Sequence, residues 1–462
     1  MAAPASSLAL DHPGVRSRTI GRGMGIALLF GSHAVLALGM EAVRPLATVH
    51  ALAALAVGVF LATTRRTSEG AVLAVCYLAT SELLWRINRA SIFWEFSKYA
   101  VVLVAVLLLA RRPIHRGLAT AAFAFLLLLS PGAGVTVAAW GITGATREAL
   151  STSLSGPLCL AVLVMLFSSL ESREIRLERV LLWLAAPLVG LLTLVFYGIA
   201  SAGAIRFGTH SNFATSAGYG PNQVSATLSL GAIVFLLLAI HERSRLLKLS
   251  YLALTGAYLL TSVLTFSRGG LFNVAIFGLA WGAHYLRSPK VRGAAFGVAL
   301  VLALASLWIV PQLDRWTGGS LRERYSSLDT TGRKSLAQAD LELFQEQPIL
   351  GVGAGRSTAE RQKLIFKRVA SHTEYTRLLA EHGVFGIAAL LVMLGILGVA
   401  YLRAPESLSR GWVAAMGAWT FASLAHVSMR LAIIPLLFGL ATLTWRRRAE
   451  SAPRPRIPVR SP

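Results

Sequence analysis

The feature that most constrains this chain is repetition: fourteen apolar runs follow one another, most of them separated by short connections. A span needs about 20 apolar residues to cross a hydrocarbon core of roughly 30 Å. Backbone inside lipid must satisfy its own hydrogen bonds, which leaves helices. The runs lie near residues 24–42, 46–63, 70–85, 98–110, 117–139, 154–170, 179–202, 221–240, 249–266, 270–286, 293–311, 383–402, 411–428 and 431–445. The third, fourth and last are short, so the expectation is an all-α polytopic membrane protein with about 12 to 14 transmembrane helices. Composition agrees, because 55% hydrophobic and 14% charged residues among 462 leave too few polar groups to cover so large an apolar body in water. That excludes a disordered chain, a secreted disulfide scaffold and an ordinary cytosolic enzyme. The run at 24–42 is followed by no small-residue cleavage site and reads as a retained helix. Cys76 and Cys159 both fall inside apolar runs, where no disulfide is expected.

Charge sets the orientation. Alternating the connections puts 25 basic residues on one side, among them Arg16, Arg65, Arg111, Arg173, Arg243, Arg287, Arg403 and Arg446. The opposite short connections hold 8: Arg44, Arg86, Arg89, Lys98, Arg147, Arg206, Arg268 and Arg430. Positive residues stay on the cytoplasmic side, so both termini are expected there. Scattered in this way, the net charge of +23 marks membrane topology, and no nucleic-acid partner is expected.

The organisation expected is a cytoplasmic segment 1–23, transmembrane helices 1 to 11 over 24–311, a large external helical loop over 312–382, transmembrane helices 12 to 14 over 383–445, and a basic disordered tail 446–462 attracted to anionic membrane lipids. The loop holds 11 basic and 9 acidic residues and is long enough to escape the charge rule. Leu336, Leu343 and Phe344 share one helical face before Pro348 stops the run, which points to a folded cap.

Chemistry is narrowed by what is missing: there is no Walker lysine motif, no H-E-x-x-H, no D-x-D pair and no cysteine-histidine metal pattern. Neither a cofactor nor a metal is expected. The string GVGAGR at Gly351–Arg356 looks like a phosphate loop, but Arg356 occupies the third glycine position, so a flexible turn is the reading. Arg206 follows the seventh run in GAIRFGTHSNF, and Arg268 sits in TFSRGGLFN, in a turn of about three residues between two apolar runs. An arginine near membrane depth is costly without an anionic partner; snorkelling to the interface is the alternative. Arg147, and Arg86 in a stretch that also holds Glu82 and Glu95, are further candidates. In SHTEYTRLLAEHG, Ser371 and Glu374 have capping-box spacing, which would start a helix and put His372 in its first turn. There the helix dipole disfavours the imidazolium and leaves the neutral ring that a general base requires. A solvated loop histidine is the alternative.

At these residues the chain resembles the O-antigen ligases and the related O-antigen and exopolysaccharide polymerases. The resemblance rests on GYGPNQVSATLSL at Gly218–Leu230, TFSRGGLF at Thr265–Phe272, the segment Thr331–Arg356 and SHTEYTRLLAEHGVFG at Ser371–Gly386. It runs from Arg206 onward, and REALSTSLSGPLCL at Arg147–Leu160 is similar to the ligase branch. It implies a fold of the glycosyltransferase C class and a metal-independent, inverting transfer of a glycan from an undecaprenyl diphosphate carrier to an acceptor hydroxyl on the periplasmic face of the bacterial inner membrane. His372 would be the general base, and Arg206 and Arg268 would hold the diphosphate. Tyr219, Asn222, Arg333 and Arg356, with Arg86 and Arg147, are further substrate-binding candidates. In the ligase reading the acceptor is lipid A-core; in the polymerase reading it is another carrier-linked glycan. The basic stretch Arg356, Arg361, Lys363, Lys367 and Arg368, offset by Glu360, would suit a phosphorylated lipid acceptor, or would be a solvated helix face. A lipid-linked glycan transporter is the alternative of another class. Two departures stand out: Thr373 follows the histidine where many members have asparagine, and fourteen runs exceed the usual twelve, which points to a re-entrant hairpin, the last or an early one.

Overall fold

The structure is a computed structural model that describes residues 13–64, 68–114, 116–285, 292, 307–327, 332–366, 369, 371–405 and 407–443. Among these the protein is all-α, with no strand. The run at 293–311 lies mostly outside the described residues, as do the tail and the basic residues Lys367 and Arg368.

Each of the thirteen apolar runs that lie among the described residues has a helix. They are α1 (Pro13–Ala42), α2 (Pro45–Thr63), α3 (Ser68–Thr80) continued by α4 (Glu82–Ile87), α5 (Phe96–Leu109), α6 (Arg116–Trp140), α7 (Gly144–Ser168), α8 (Leu177–Ser201), α9 (Pro221–His241), α10 (Arg245–Leu264) and α11 (Arg268–Tyr285). After the cap come α16 (Val384–Arg403), α17 (Ser407–Leu424) and α18 (Ile433–Ala441). Nine helices among the described residues are long and apolar enough to cross a membrane. Four of the thirteen helices fall short: α5 has 14 residues, α11 is diluted by Arg268, Asn273 and His284, α17 by Ser407, Ser409 and Arg410, and α18 has nine residues, about 13 Å at 1.5 Å per residue; the run at 293–311 lies mostly outside the residues counted. The last run therefore makes a half-length helix, buried along its whole length against α7 and α17.

Lipid is legible as the solvent in the side chains themselves. Helices α3, α7, α8 and α9 are mostly buried, whereas α1, α2, α6, α10 and α16 turn most of their residues outward. What they turn outward is apolar, including Leu28, Phe60, Phe123, Leu249 and Leu391. Water would penalise such a perimeter; hydrocarbon does not. Cys76 and Cys159 are free thiols in the core.

The expected folded cap consists of α12 (Ser320–Ser326), α13 (Arg333–Glu346), α14 (Ser357–Ile365) and α15 (Glu374–His382). Leu336 and Leu343 are buried on one face of α13, which ends two residues before Pro348, as their spacing predicts. The cap meets the bundle at the end of α6, the beginnings of α7, α9 and α11, and the end of α10, so it closes one end. Tyr325 donates to the Val263 carbonyl (3.0 Å), Arg333 to Asn222 (3.1 Å) and Thr136 of α6 to the Ala354 carbonyl (2.8 Å).

Two readings of this region are corrected. The turn Gly351–Arg356 is neither exposed nor loosely held. The amides of Val352, Gly353 and Ala354 donate to the carbonyls of Ala380, Glu381 and Gly132 at 2.8, 3.2 and 2.9 Å. Those amides cannot cradle a phosphate. Gly353 and Gly355 have φ of +104° and +78°, and a Cβ on Gly355 would stand 2.4 Å from the Ala149 carbonyl, so the turn is a wedge that only glycine permits. Among its described residues the basic stretch is not an unpaired cationic face either. Arg361 is fully buried on Asp340, and Arg356 and Lys363 both pair with Glu360.

Candidate functional site

Between cap and bundle lies a cavity of about 320 Å³, lined by residues that five segments bring together. His210, Ser211 and Phe213 come from the loop after α8, and Gly220 to Gln223 from the start of α9. Arg333 opens α13, His372 precedes α15, and His426, Val427 and Arg430 lie in the break between α17 and α18. Among the described residues no aspartate or glutamate lines this cavity.

His372 lines this cavity, but not from the first turn of a helix, where the capping-box spacing put it. α15 begins at Glu374 with Thr373 as its cap and no side-chain capping bond. Ser371 donates instead to Asp340 (2.7 Å), so there is no capping box, and His372 lies ahead of the first turn. The ring is held well below its ordinary value, at about 4, by burial first and then by the charges of Arg430, Arg333 and Arg361. The neutral imidazole is thus the work of a desolvated, cationic pocket and not of a helix dipole. Asp340 fixes the segment on both sides of the ring, accepting from Ser371, from Thr376 (2.8 Å) and from the buried Arg361.

The arginines supply the field. Arg333 donates to Asn222, whose oxygen also accepts from Ser267 (2.8 Å). Its guanidinium is pushed below the usual range by burial, then by Arg324 and Arg268, so three cations share one neighbourhood. Arg268 starts α11 after a linker of three residues and donates to the Ser327 carbonyl. The Gly269 that follows it is required for close approach: a Cβ there would lie 2.5 Å from Nδ1 of His426.

Arg430 escaped the sequence reading, although it sits like Arg268 as a lone arginine between apolar runs. It donates to the Ser371 carbonyl, next to His372. The segment around it is clamped from several helices. Lys98 donates to the Met429 carbonyl (3.4 Å), Arg86 to the Arg430 carbonyl (3.4 Å), Glu82 accepts from the Ala432 amide (2.6 Å), and Glu374 from the Met429 amide (3.3 Å). His426 and Gln223 were also missed as candidates. His426 bonds Asn273 (3.1 Å).

The remaining candidates fall elsewhere. Arg206 is exposed in the loop after α8 and does not line the cavity. Arg86 pairs with Glu82 (2.6 Å) and lies over the Trp94 ring, on which Tyr219 stacks at 6.4 Å. Arg147 is exposed on the first turn of α7. Arg356 pairs with Glu360 and lies over Trp140 at 5.3 Å. Among the described residues no group of three histidine, cysteine, aspartate or glutamate side chains could hold a metal ion.

Fold and cavity together define a polytopic helical membrane protein whose capped end encloses a cationic pocket beside a neutral histidine. Residues 253–391 match the protein-family model described as O-antigen ligase, which supports the O-antigen ligase family. The match takes in Arg268, Arg333 and His372 and bears out the resemblance over that stretch; Gly218–Leu230 and Arg147–Leu160 lie outside it. At the level of the family the match supports a glycosyltransferase of ligase or polymerase type. No curated protein matches the chain.

Proposed function

We propose that the protein transfers a glycan from undecaprenyl diphosphate to an acceptor hydroxyl, as an O-antigen ligase acting on lipid A-core at the periplasmic face of the inner membrane. The observation that carries this reading is the pocket that Arg333, Arg430 and neutral His372 line together, with no carboxylate among its described lining residues. A cluster of guanidinium groups at the mouth of a membrane bundle calls for an anion, and a lipid diphosphate reaches such a place from the bilayer.

The chemistry follows from the groups present. His372 takes the proton of the acceptor hydroxyl as its oxygen bonds to the anomeric carbon. The bond from that carbon to the diphosphate oxygen breaks on the opposite face, inverting the configuration. Charge then grows on the diphosphate, where Arg333, Arg430 and Arg268 stabilise it, because guanidinium stays protonated and forks onto phosphate oxygens. Arg206, exposed in the loop whose later residues line the pocket, is the proposed contact for the part of the carrier still outside it. The reaction needs no metal in this account.

The test is reconstitution of the purified protein with a lipid-linked glycan and an acceptor. Release of undecaprenyl diphosphate with the glycan joined to the acceptor is expected. Translocation of the intact donor without release would refute the enzyme and establish a transporter. Release with carrier-linked glycan as the productive acceptor, and none with lipid A-core, would make the protein a polymerase.

A further inference from the structure

A second cavity of about 330 Å³ lies on the other side of Arg430 and differs from the first in chemistry. It is lined by the hydroxyl-bearing residues Thr152, Ser153, Ser357, Thr358, Ser371 and Ser428, and by Trp140. Its charges nearly balance: Glu148, Glu374 and Glu381 face Arg377 and Arg430. Most of these charges are already spent. Arg377 bridges Glu374 and Glu381 (2.6 Å to the latter), and Glu381 also accepts from Ser153 and Ser357, both at 2.7 Å. One group is not spent: Ser428 is 2% exposed and its hydroxyl has no partner among the described residues.

We propose that this cavity is the subsite for the acceptor, and that it takes an uncharged sugar. The inference rests on the transferase reading above and adds the identity of the second substrate's pocket. A phosphate would meet the carboxylates and find Arg377 already bound, whereas a neutral polyhydroxyl compound meets hydroxyls, carboxylate oxygens and an aromatic face. The buried Ser428 hydroxyl lacks the partner that such a group normally has, and a sugar hydroxyl supplies it. Arg430 borders both cavities, and Ser371 of the second is the chain neighbour of His372 in the first. A sugar seated in the second cavity thus presents a hydroxyl past Arg430 toward the base, while the diphosphate occupies the first. Contact with lipid A-core would be made through sugar, not phosphate.

The test uses the full-length protein in nanodiscs and two probes: glycan-free undecaprenyl diphosphate, and the neutral sugars glucose, galactose and N-acetylglucosamine, titrated by saturation-transfer NMR. Ala149→Trp fills the second cavity from α7, and Thr358→Trp fills it from α14, so that one variant decides if the other misfolds. Each is expected to weaken sugar binding at least about tenfold and to leave undecaprenyl diphosphate affinity within about twofold. Arg333→Ala is expected to do the reverse. Absence of sugar binding to the unmodified protein, or sugar affinity equal in both tryptophan variants, overturns the subsite. Sugar binding that the tryptophans abolish, in a protein that never binds undecaprenyl diphosphate, refutes the donor reading and leaves the subsite standing.

Discussion

The acid limb of the pH profile is the sharpest measure of what the pocket does to His372. Burial, then Arg430, Arg333 and Arg361, bring the ring from 6.5 to about 4. That drop disfavours the protonated ring by about 3 kcal/mol at 1.36 kcal/mol per unit. A general base works deprotonated, so kcat/KM, which reports the free enzyme, should be flat through neutral pH and fall only as the pH drops through about 4. Bound diphosphate puts negative charge among the same arginines and relieves part of their repulsion on the ring. The limb in kcat should therefore lie at higher pH than the limb in kcat/KM. Initial rates of undecaprenyl diphosphate release by reconstituted protein give both profiles. His372→Ala should abolish the limb and lower neutral-pH transfer at least about a hundredfold, the lower end of what a positioned base contributes. His382 is the control, since burial brings it to about 4 as well. It is 1% exposed and packed on Gly132, away from the cavity, so His382→Ala should keep the limb. A kcat/KM limb near the ordinary histidine value, a limb that survives His372→Ala, or a kcat limb below that of kcat/KM would refute the reasoning.

Arg333→Ala and Arg268→Ala should each weaken undecaprenyl diphosphate binding at least about tenfold, and lysine at either position should recover little because it cannot fork; isothermal titration in nanodiscs decides. Asp340→Ala leaves Arg361 buried without its partner and frees Ser371 and Thr376, so the cap should lose about 3–5 kcal/mol of stability and become sensitive to limited proteolysis between α13 and α15. Excess chelator should leave glycan transfer unchanged; loss that magnesium or manganese restores would implicate carboxylates such as Glu82 or Glu95 as ligands.

How much of this was legible in sequence depends on the range of the interaction. The helices were, because an apolar run of a given length has one stable form in lipid. The amphipathic face of α13 was too, since Leu336 and Leu343 report a period of 3.6. The capping box was misread because Ser371 had a better offer: Asp340, 31 positions earlier, outcompetes the local amide. Arg361 of the basic stretch was misread for the same reason, since it meets Asp340 only after the cap folds. Gly351–Arg356 was read as loose because its glycines were visible while the carbonyls of Gly132 and Glu381 that they approach were not. Arg430 obeyed the argument applied to Arg268, and its omission shows that a lone cation between short apolar runs needs the same scrutiny in every connection.

Arg430 also shows why a membrane protein tolerates four charges buried deep in its bundle. The chain between α17 and α18 is broken around it, and a break exposes amides and carbonyls that lipid cannot satisfy. Glu82, Arg86, Glu95 and Lys98 answer that need. Glu82 takes the Ala432 amide, Arg86 reaches the Arg430 carbonyl, Lys98 reaches the Met429 carbonyl, and Glu95 pairs with Lys98. Each charge is matched within the group, so the network costs less than its members would alone. In return the broken segment is held in one place, with its arginine between the two cavities. Had α17 and α18 been one continuous helix, the backbone would have satisfied itself and the four charges would have had no purpose. The irregular chain that positions Arg430 and the buried polar network that stabilises it therefore stand or fall together.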